Sequence, residues 1–304
     1  MTSLRRARRQ TFTPLLTPFV ENRIDLPAFE AAIDRQIVAG VDGIVICDVI
    51  GEGPVLGSDE QEKLLETCVF RARPHLSVIA AAGTNCTAST IERCRRAEQL
   101  GADALLVTVP YYSKPTLNGV VQHFRETAAA VGIPIIVDDD PGRTARDYGS
   151  ALVEALAEID AIASICHGAG RFGHFAALPA SLKARFMHLS RDDNRLMEFL
   201  DLGGHGALSA LANVIPSPVQ TMVEMTERGR GAGSLLRAMS VAAAALGADD
   251  VVALKEAQFF VHQFPADVRL PLVPAEPETI LRMRHAFAPF AKCELSTRSM
   301  AGCV

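Results

Sequence analysis

Short apolar stretches of strand length recur eight times along the chain, at residues 11–19, 43–49, 77–82, 104–109, 133–137, 162–166, 186–190 and 206–211. They are nearly continuous in Val, Ile, Leu and Ala rather than alternating with polar residues. That is the pattern of strands buried on both faces, as in a parallel sheet. Between most of them lie helical patterns with recognisable ends. Asp25-Leu26-Pro27 opens one and Gly40 closes it. Ser58-Asp59-Glu60-Gln61 reads as a capping box ahead of residues 63–72. Patterns over 87–100, 118–131 and 194–202 each run into a glycine, at Gly101, Gly132 and Gly203, as helices with glycine C-caps do. An eighth helix is predicted over 216–229, followed by three more over 234–246, 251–263 and 278–290.

Eight strand–helix units joined by right-handed crossovers close into a (β/α)8 TIM barrel, and the last helices read as a C-terminal helical extension. The boundary is expected near residue 230, giving a barrel over 1–230 and an extension over 231–304. An open doubly wound sheet is the competing architecture, but no Gly-x-Gly-x-x-Gly follows the first strand.

Composition narrows the function classes. Of 304 residues 49% are apolar, enough for a large core, and the formal charge is −5 with both signs mixed. This argues against a nucleic-acid or membrane-surface partner. The seven cysteines include no Cys-x-x-Cys pair, so reduced thiols and a cytoplasmic location are expected. Arg5, Arg6, Arg8 and Arg9 make the start basic. The apolar run after them is cut by Pro14 and Pro18, too short for an export signal, and a solvated arm is expected.

In such a barrel the chemistry lies where the strands end. The second strand there offers Asp48, Val49, Ile50, Gly51 and Glu52. The fourth offers Pro110, Tyr111 and Tyr112, and the fifth Asp138, Asp139, Asp140, Pro141, Gly142 and Arg143. Cys166 and His167 end the sixth, Arg191, Asp192 and Asp193 the seventh, and Leu208 and Ser209 the eighth.

In these strand ends the chain resembles the dihydrodipicolinate synthase / N-acetylneuraminate lyase family of class I aldolases. Gly51-Glu52 is similar to the tail of the family's Gly-Thr-Thr-Gly-Glu. Pro110-Tyr111-Tyr112-Ser113-Lys114-Pro115 resembles its Pro-Tyr-Tyr-x-x-Pro, and Pro141-Gly142-Arg143-Thr144 its Pro-x-Arg-Thr. Asp192-Asp193 and the stretch from Leu202 to Ser209 resemble the last two strand ends. The likeness runs in order from about residue 11 to about 216, and the tail agrees in kind only. It implies a lyase scaffold acting on a 2-oxo acid-like carboxylate, without a cofactor or metal, assembled as a dimer of dimers.

The departures fall on the chemistry. The resemblance puts the family's imine-forming lysine at Cys166, its fifth-strand tyrosine at Asp138, its two threonines at Val49 and Ile50, and a glycine at Arg191. It retains Arg143 as the substrate-carboxylate arginine. It also retains Tyr112, whose hydroxyl reaches a neighbouring subunit's site in relatives. A thiol cannot condense with a ketone to an iminium, the electron sink of this chemistry. The five lysines are Lys63, Lys114, Lys183, Lys255 and Lys292, of which Lys114 alone is expected on the site face.

The residues themselves leave alternatives. Cys166 and His167 would form a nucleophile–base pair only if the strand broke, because adjacent strand residues face opposite ways. A buried, space-filling cysteine is therefore expected. Asp138 and Asp140 share a face by alternation. With Glu52 or His167 they would make either an acid–base group or an oxygen-rich metal site, while Asp139 and Asp140 serve equally well as turn residues before Pro141. Gly203-Gly204-His205-Gly206 reads as a tight turn, and His123, His174 and His188 as structural. Given the glycine and lysine that the resemblance puts at these strand ends, Arg191 is expected either to extend into the space the lysine would fill and pair with Asp138 or Glu52, or to reach out to solvent at the rim.

Asp138 and Tyr112 are the catalytic candidates, and Gly51, Glu52, Arg143, Cys166, Arg191 and Leu208 line a pocket for a small carboxylate. A catalytically silent ligand-binding homologue, and an aldolase using a relocated lysine, are the alternatives.

Overall fold

The computed structural model describes residues 8–170, 172–227, 233–247 and 250–300. Eight parallel strands pair in chain order: β1 (Gln10–Pro14), β2 (Gly43–Ile46), β3 (Ser77–Ala81), β4 (Ala104–Thr108), β5 (Ile135–Asp139), β6 (Ile162–His167), β7 (Met187–Ser190) and β8 (Gly206–Leu208). β8 pairs back onto β1 and closes the barrel. Each strand's alternation sorts its side chains between two layers. Phe12, Val45, Ile79, Leu106, Cys166, Leu189 and Leu208 fill the barrel interior. Their neighbours, such as Ile44, Val78, Leu105, Val137 and Ile165, pack outward against the helices. The (β/α)8 barrel read from the pattern is the fold observed.

Local chemistry adjusts several boundaries. The first run stops being barrel strand at Pro14. Phe19–Val20 instead pairs antiparallel with Arg23–Ile24, after Pro18, which has no N–H for a ladder. The second helix is Ser58–Ala72 with Gly57 as its cap, and the Glu60 carboxylate accepts from the Gly57 N–H at 3.0 Å. The box lies one residue earlier than Ser58–Gln61, and Gln61 instead donates to the Gly53 and Leu56 carbonyls at 3.0 and 3.2 Å. The eighth helix is Pro216–Glu227. The expected boundary at residue 230 lies outside the described residues. The short helices Pro141–Thr144 and Ser150–Leu156 fill the β5–β6 crossover, for which the sequence showed no helical pattern.

The basic start is not simply solvated. Arg8 donates to Asp42 at 2.5 Å and Arg9 to the Leu200 carbonyl at 2.8 Å, while Arg5 and Arg6 lie outside the described residues. Cys47, Cys68, Cys86, Cys94 and Cys166 are free thiols.

The helices after the barrel, Gly233–Leu246, Val251–His262 and Pro277–Met300, share one core with it. Met239, Ala242, Leu254, Met283 and Phe287 pack in the same cluster as Leu16, Ile50, Leu196 and Leu200. A buried ion pair reinforces that join. Lys255 has no exposed surface, and its Nζ lies 2.5 Å from the Glu52 carboxylate and donates to the Asp267 carbonyl at 2.6 Å. Glu52 also accepts from the Arg269 N–H at 2.9 Å. The Arg269 guanidinium in turn forks onto Glu60 at 2.6 and 2.7 Å.

Removing one partner of such a pair leaves a buried charge uncompensated, whereas removing both leaves none. Lys255→Met is expected to lower stability by about 3–5 kcal/mol in urea unfolding. The double change Glu52→Gln/Lys255→Met should recover most of that loss. Equal losses in the single and double variants would show that the pair is not what holds the tail.

Candidate active site

The strand ends form the site as the fold requires, but charges dominate it. Asp48 follows β2, Asp138 lies in β5 and Arg191 follows β7. In the ladder Asp138 stands beside Cys166 on one side and Thr108 on the other. The Arg191 guanidinium lies between the two carboxylates. Its Nε and Nη2 donate to Asp138 at 2.7 and 3.0 Å, and its Nη1 and Nη2 donate to Asp48, both at 3.1 Å. All three residues are buried. Arg191 thus points inward and meets Asp138. Its second partner is Asp48, not Glu52, which is turned away and taken by Lys255 and Arg269.

One cation facing two buried carboxylates neutralises only one of them. Burial pushes the Asp138 carboxyl up and the Asp48 charge adds to this. Arg191 opposes both, and the outcome is a rise from 3.8 to about 6. Asp48 is also penalised by burial, but the Arg191 guanidinium and the Val49 N–H outweigh that and hold it below its ordinary value. For Arg191 burial works against the charge, yet Asp138 and Asp48 raise its pKa well above normal.

Cys166 is fully buried in the barrel interior, and burial pushes its thiol well up, so it is not a ready nucleophile. His167 faces the outer layer, stacked on His188 with Nε2 2.9 Å from the His188 Nδ1. The strand is unbroken, and no Cys–His dyad forms. Gly168 is needed where it stands, since a Cβ there would meet the Asp140 side chain at 2.7 Å.

The aspartate run divides its labour. Asp140 caps the helix Pro141–Thr144 through the Gly142 N–H at 3.0 Å, and its other oxygen lies 3.3 Å from the Arg143 Nε. Asp139 is buried beside it. With Asp140 capping and Glu52 paired to Lys255, the carboxylates once grouped as an oxygen-rich site are spent elsewhere. Among the described residues no three His, Cys, Asp or Glu side chains gather around a common point.

Between these groups and solvent lies a cleft of about 490 Å³, bordered by Asp48, Thr84, Arg93, Tyr111, Asp138 and Arg143. Gly51 and Leu208, expected to line the pocket, are not among its walls: the Gly51 carbonyl accepts from the Thr17 hydroxyl at 2.6 Å, and Leu208 fills the barrel interior. Tyr112 is 89% exposed, on a loop that leaves the barrel mouth. Lys114 is exposed on the same loop. Lys183 is engaged by the Ala176 carbonyl at 2.9 Å.

A match to the family model of the dihydrodipicolinate synthetase family extends over residues 7–287. The chain belongs to that family. The match includes most of the helical tail, beyond the stretch whose motifs are legible one by one. Among curated relatives, the 4-hydroxy-tetrahydrodipicolinate synthase of Rhodopseudomonas palustris is 33% identical over 281 residues, covering 91% of this chain and 95% of the relative. That of Nitrobacter hamburgensis is 34% identical over 281 residues, with the same coverage of 91% and 95%. The dihydrodipicolinate synthase of Thermotoga maritima superposes with a TM-score of 0.88 at 28% identity, covering 93% of this chain and 98% of that one. A monomeric dihydrodipicolinate synthase variant does so equally well, with a TM-score of 0.88 at 27% identity and coverage of 92% and 96%.

Asp48 is the site residue that sequence reasoning passed over. It was visible at the second strand end, in the position that the family's Gly-Thr-Thr-Gly-Glu gives to glycine. The available signal was the grouping of charge: two acids and one arginine stand at three strand ends around one interior.

Two outcomes follow. Arg191→Met, which leaves two carboxylates buried without a cation, is expected to cost about 3–5 kcal/mol in stability at pH 7.5. The second concerns pH. Asp138 binds its proton more tightly folded than unfolded, so its contribution is full below about pH 4 and is lost as pH rises through about 6. Asp48 acts in the opposite sense, losing its contribution only as pH falls below about 4. Over pH 4–6, stability of the wild type relative to Asp138→Asn should therefore fall by on the order of 2 kcal/mol. Parallel melting curves for the two proteins across that range would count against the assignment.

Proposed function

We propose that this protein is a dihydrodipicolinate synthase-like member of the lyase family that binds a small carboxylate in the barrel-mouth cleft and does not work through a Schiff base. The observation carrying this is the Asp48–Arg191–Asp138 cluster beside Cys166. A buried guanidinium and two carboxylates stand against a thiol where the family resemblance puts an amine. Among the described residues no lysine amine borders that cleft. Lys255 is the buried one, and its amine is committed to Glu52 and the Asp267 carbonyl.

In this reading Arg143 anchors the ligand's carboxylate at the rim. Asp138, with a pKa near 6, is the group able to take or return a proton at neutral pH. Tyr112 belongs to a neighbouring copy's site, in keeping with its exposure in the single chain. That role for Tyr112 requires a second copy, and the family resemblance makes the assembly a dimer of dimers. A silent, ligand-binding homologue is the second reading. It is favoured by the engagement of both Asp138 oxygens with Arg191, which leaves the carboxylate no freedom to reach a substrate.

Treatment with pyruvate and borohydride, followed by intact mass measurement, should give no pyruvyl adduct. An adduct on any lysine would overturn the proposal. A thermal-shift series of small carboxylates should stabilise the wild type by mass action, and Arg143→Gln should abolish the shift. If carboxylates bind but no 2-oxo acid turns over, with or without an aldehyde, the silent reading is preferred. Light scattering should report an assembly larger than one chain, and a monomer at micromolar concentration would remove Tyr112 from the site.

A further inference from the structure

The helix Thr87–Gln99 carries three arginines, Arg93, Arg95 and Arg96, and their partners differ. Arg96 forks onto Glu62 at 2.8 and 2.5 Å, and Arg95 donates to the Ala130 carbonyl at 3.3 Å. Among the described residues no carboxylate pairs with Arg93. Arg93 instead borders the barrel-mouth cleft that Arg143 and Asp138 also border. It borders as well a second cavity of about 350 Å³ between this helix and Ser58–Ala72, and Cys47, Ala81 and Ser89 are walls common to both. The two hollows share these walls, and Arg93 stands with Arg143 on the space of the barrel-mouth cleft.

The charges in that space are ordered from inside out. Asp48 and Asp138 at the floor share the cation of Arg191. Arg143 stands at the rim, its Nε toward Asp140. Arg93 stands further along, and its field reaches Cys47 as the field of Arg143 reaches the adjacent Asp48. An exposed arginine with no acidic partner, set on the wall of a concave space, is suited to a carboxylate supplied from outside.

We infer that the cleft takes a dicarboxylate, with one carboxylate on Arg143 and the distal carboxylate on Arg93. This deepens the carboxylate-binding reading above and rests on it. Arg143 serves any carboxylate, and Arg93 separates ligands with a second anionic end from those without one. Because a guanidinium–carboxylate contact is directional and charge-assisted, the preference should depend on chain length, with an optimum where both ends reach their arginines together.

The test is calorimetric titration with malonate, succinate, glutarate and adipate, against butyrate and valerate as single-ended probes. For the wild type the best dicarboxylate should bind about ten-fold more tightly than the monocarboxylate of similar length. Arg93→Gln should bring that ratio close to one by weakening the dicarboxylates. Because Arg93 is exposed and has no carboxylate partner among the described residues, this substitution is not expected to disturb the fold, and a melting curve checks that. A ratio unchanged in Arg93→Gln overturns the inference and leaves the carboxylate reading standing. If Arg143→Gln alters neither class of ligand, or if no probe binds the wild type, the carboxylate reading fails and this one with it.

Discussion

A single guanidinium between two buried carboxylates fixes the character of this barrel's mouth. Asp48 and Asp138 come from different strands, and neither tolerates burial without a cation. Arg191 satisfies both from a third strand, through four hydrogen bonds. The cluster ties the ends of β2, β5 and β7 together across the top of the interior. It also occupies that interior: an arginine stands where the family resemblance puts a glycine. The same three residues thus brace the strand ends, fill the inner space and set the charge of the cleft above them.

The cluster carries two negative charges against one positive, and that imbalance makes Asp138 the titrating member. Its carboxyl is displaced into the range useful for proton transfer, but its oxygens are already engaged. Chemistry at Asp138 and rigidity at Asp138 are therefore in competition. Loosening toward Arg191 on protonation would free the oxygen, since a neutral carboxyl holds a guanidinium less strongly than a carboxylate does. The two functional readings differ on this one point, whether Asp138 leaves Arg191 during a working cycle.

The helical tail is part of the same construction. Glu52, one step beyond the strand end that supplies Asp48, turns outward and is neutralised by Lys255 from the helix Val251–His262. The acidic residues of a single turn after β2 are thus divided. Asp48 serves the interior and Glu52 the join to the tail, each with a cation from a distant part of the chain. This is why neither residue could be assigned from its neighbours in sequence.

The barrel was legible in the chain alone, because eight two-sided apolar runs with helices between them admit few closures, and because strand alternation sorts residues without tertiary knowledge. The same alternation separated Cys166 from His167, and the inward reach of Arg191 toward Asp138 was suggested by the glycine and lysine that the family resemblance puts at those strand ends. Tertiary structure alone decided the partners. Asp48 and Arg191 are 143 positions apart, and Glu52 and Lys255 more than 200. No periodicity links them. Their pairing depends on which side of a turn each carboxylate leaves the strand, and the positive φ of 55° at Glu52 is a backbone detail that composition and motif do not encode. Where a cation lands is set by long-range packing, and a buried charge accepts whichever partner that packing delivers.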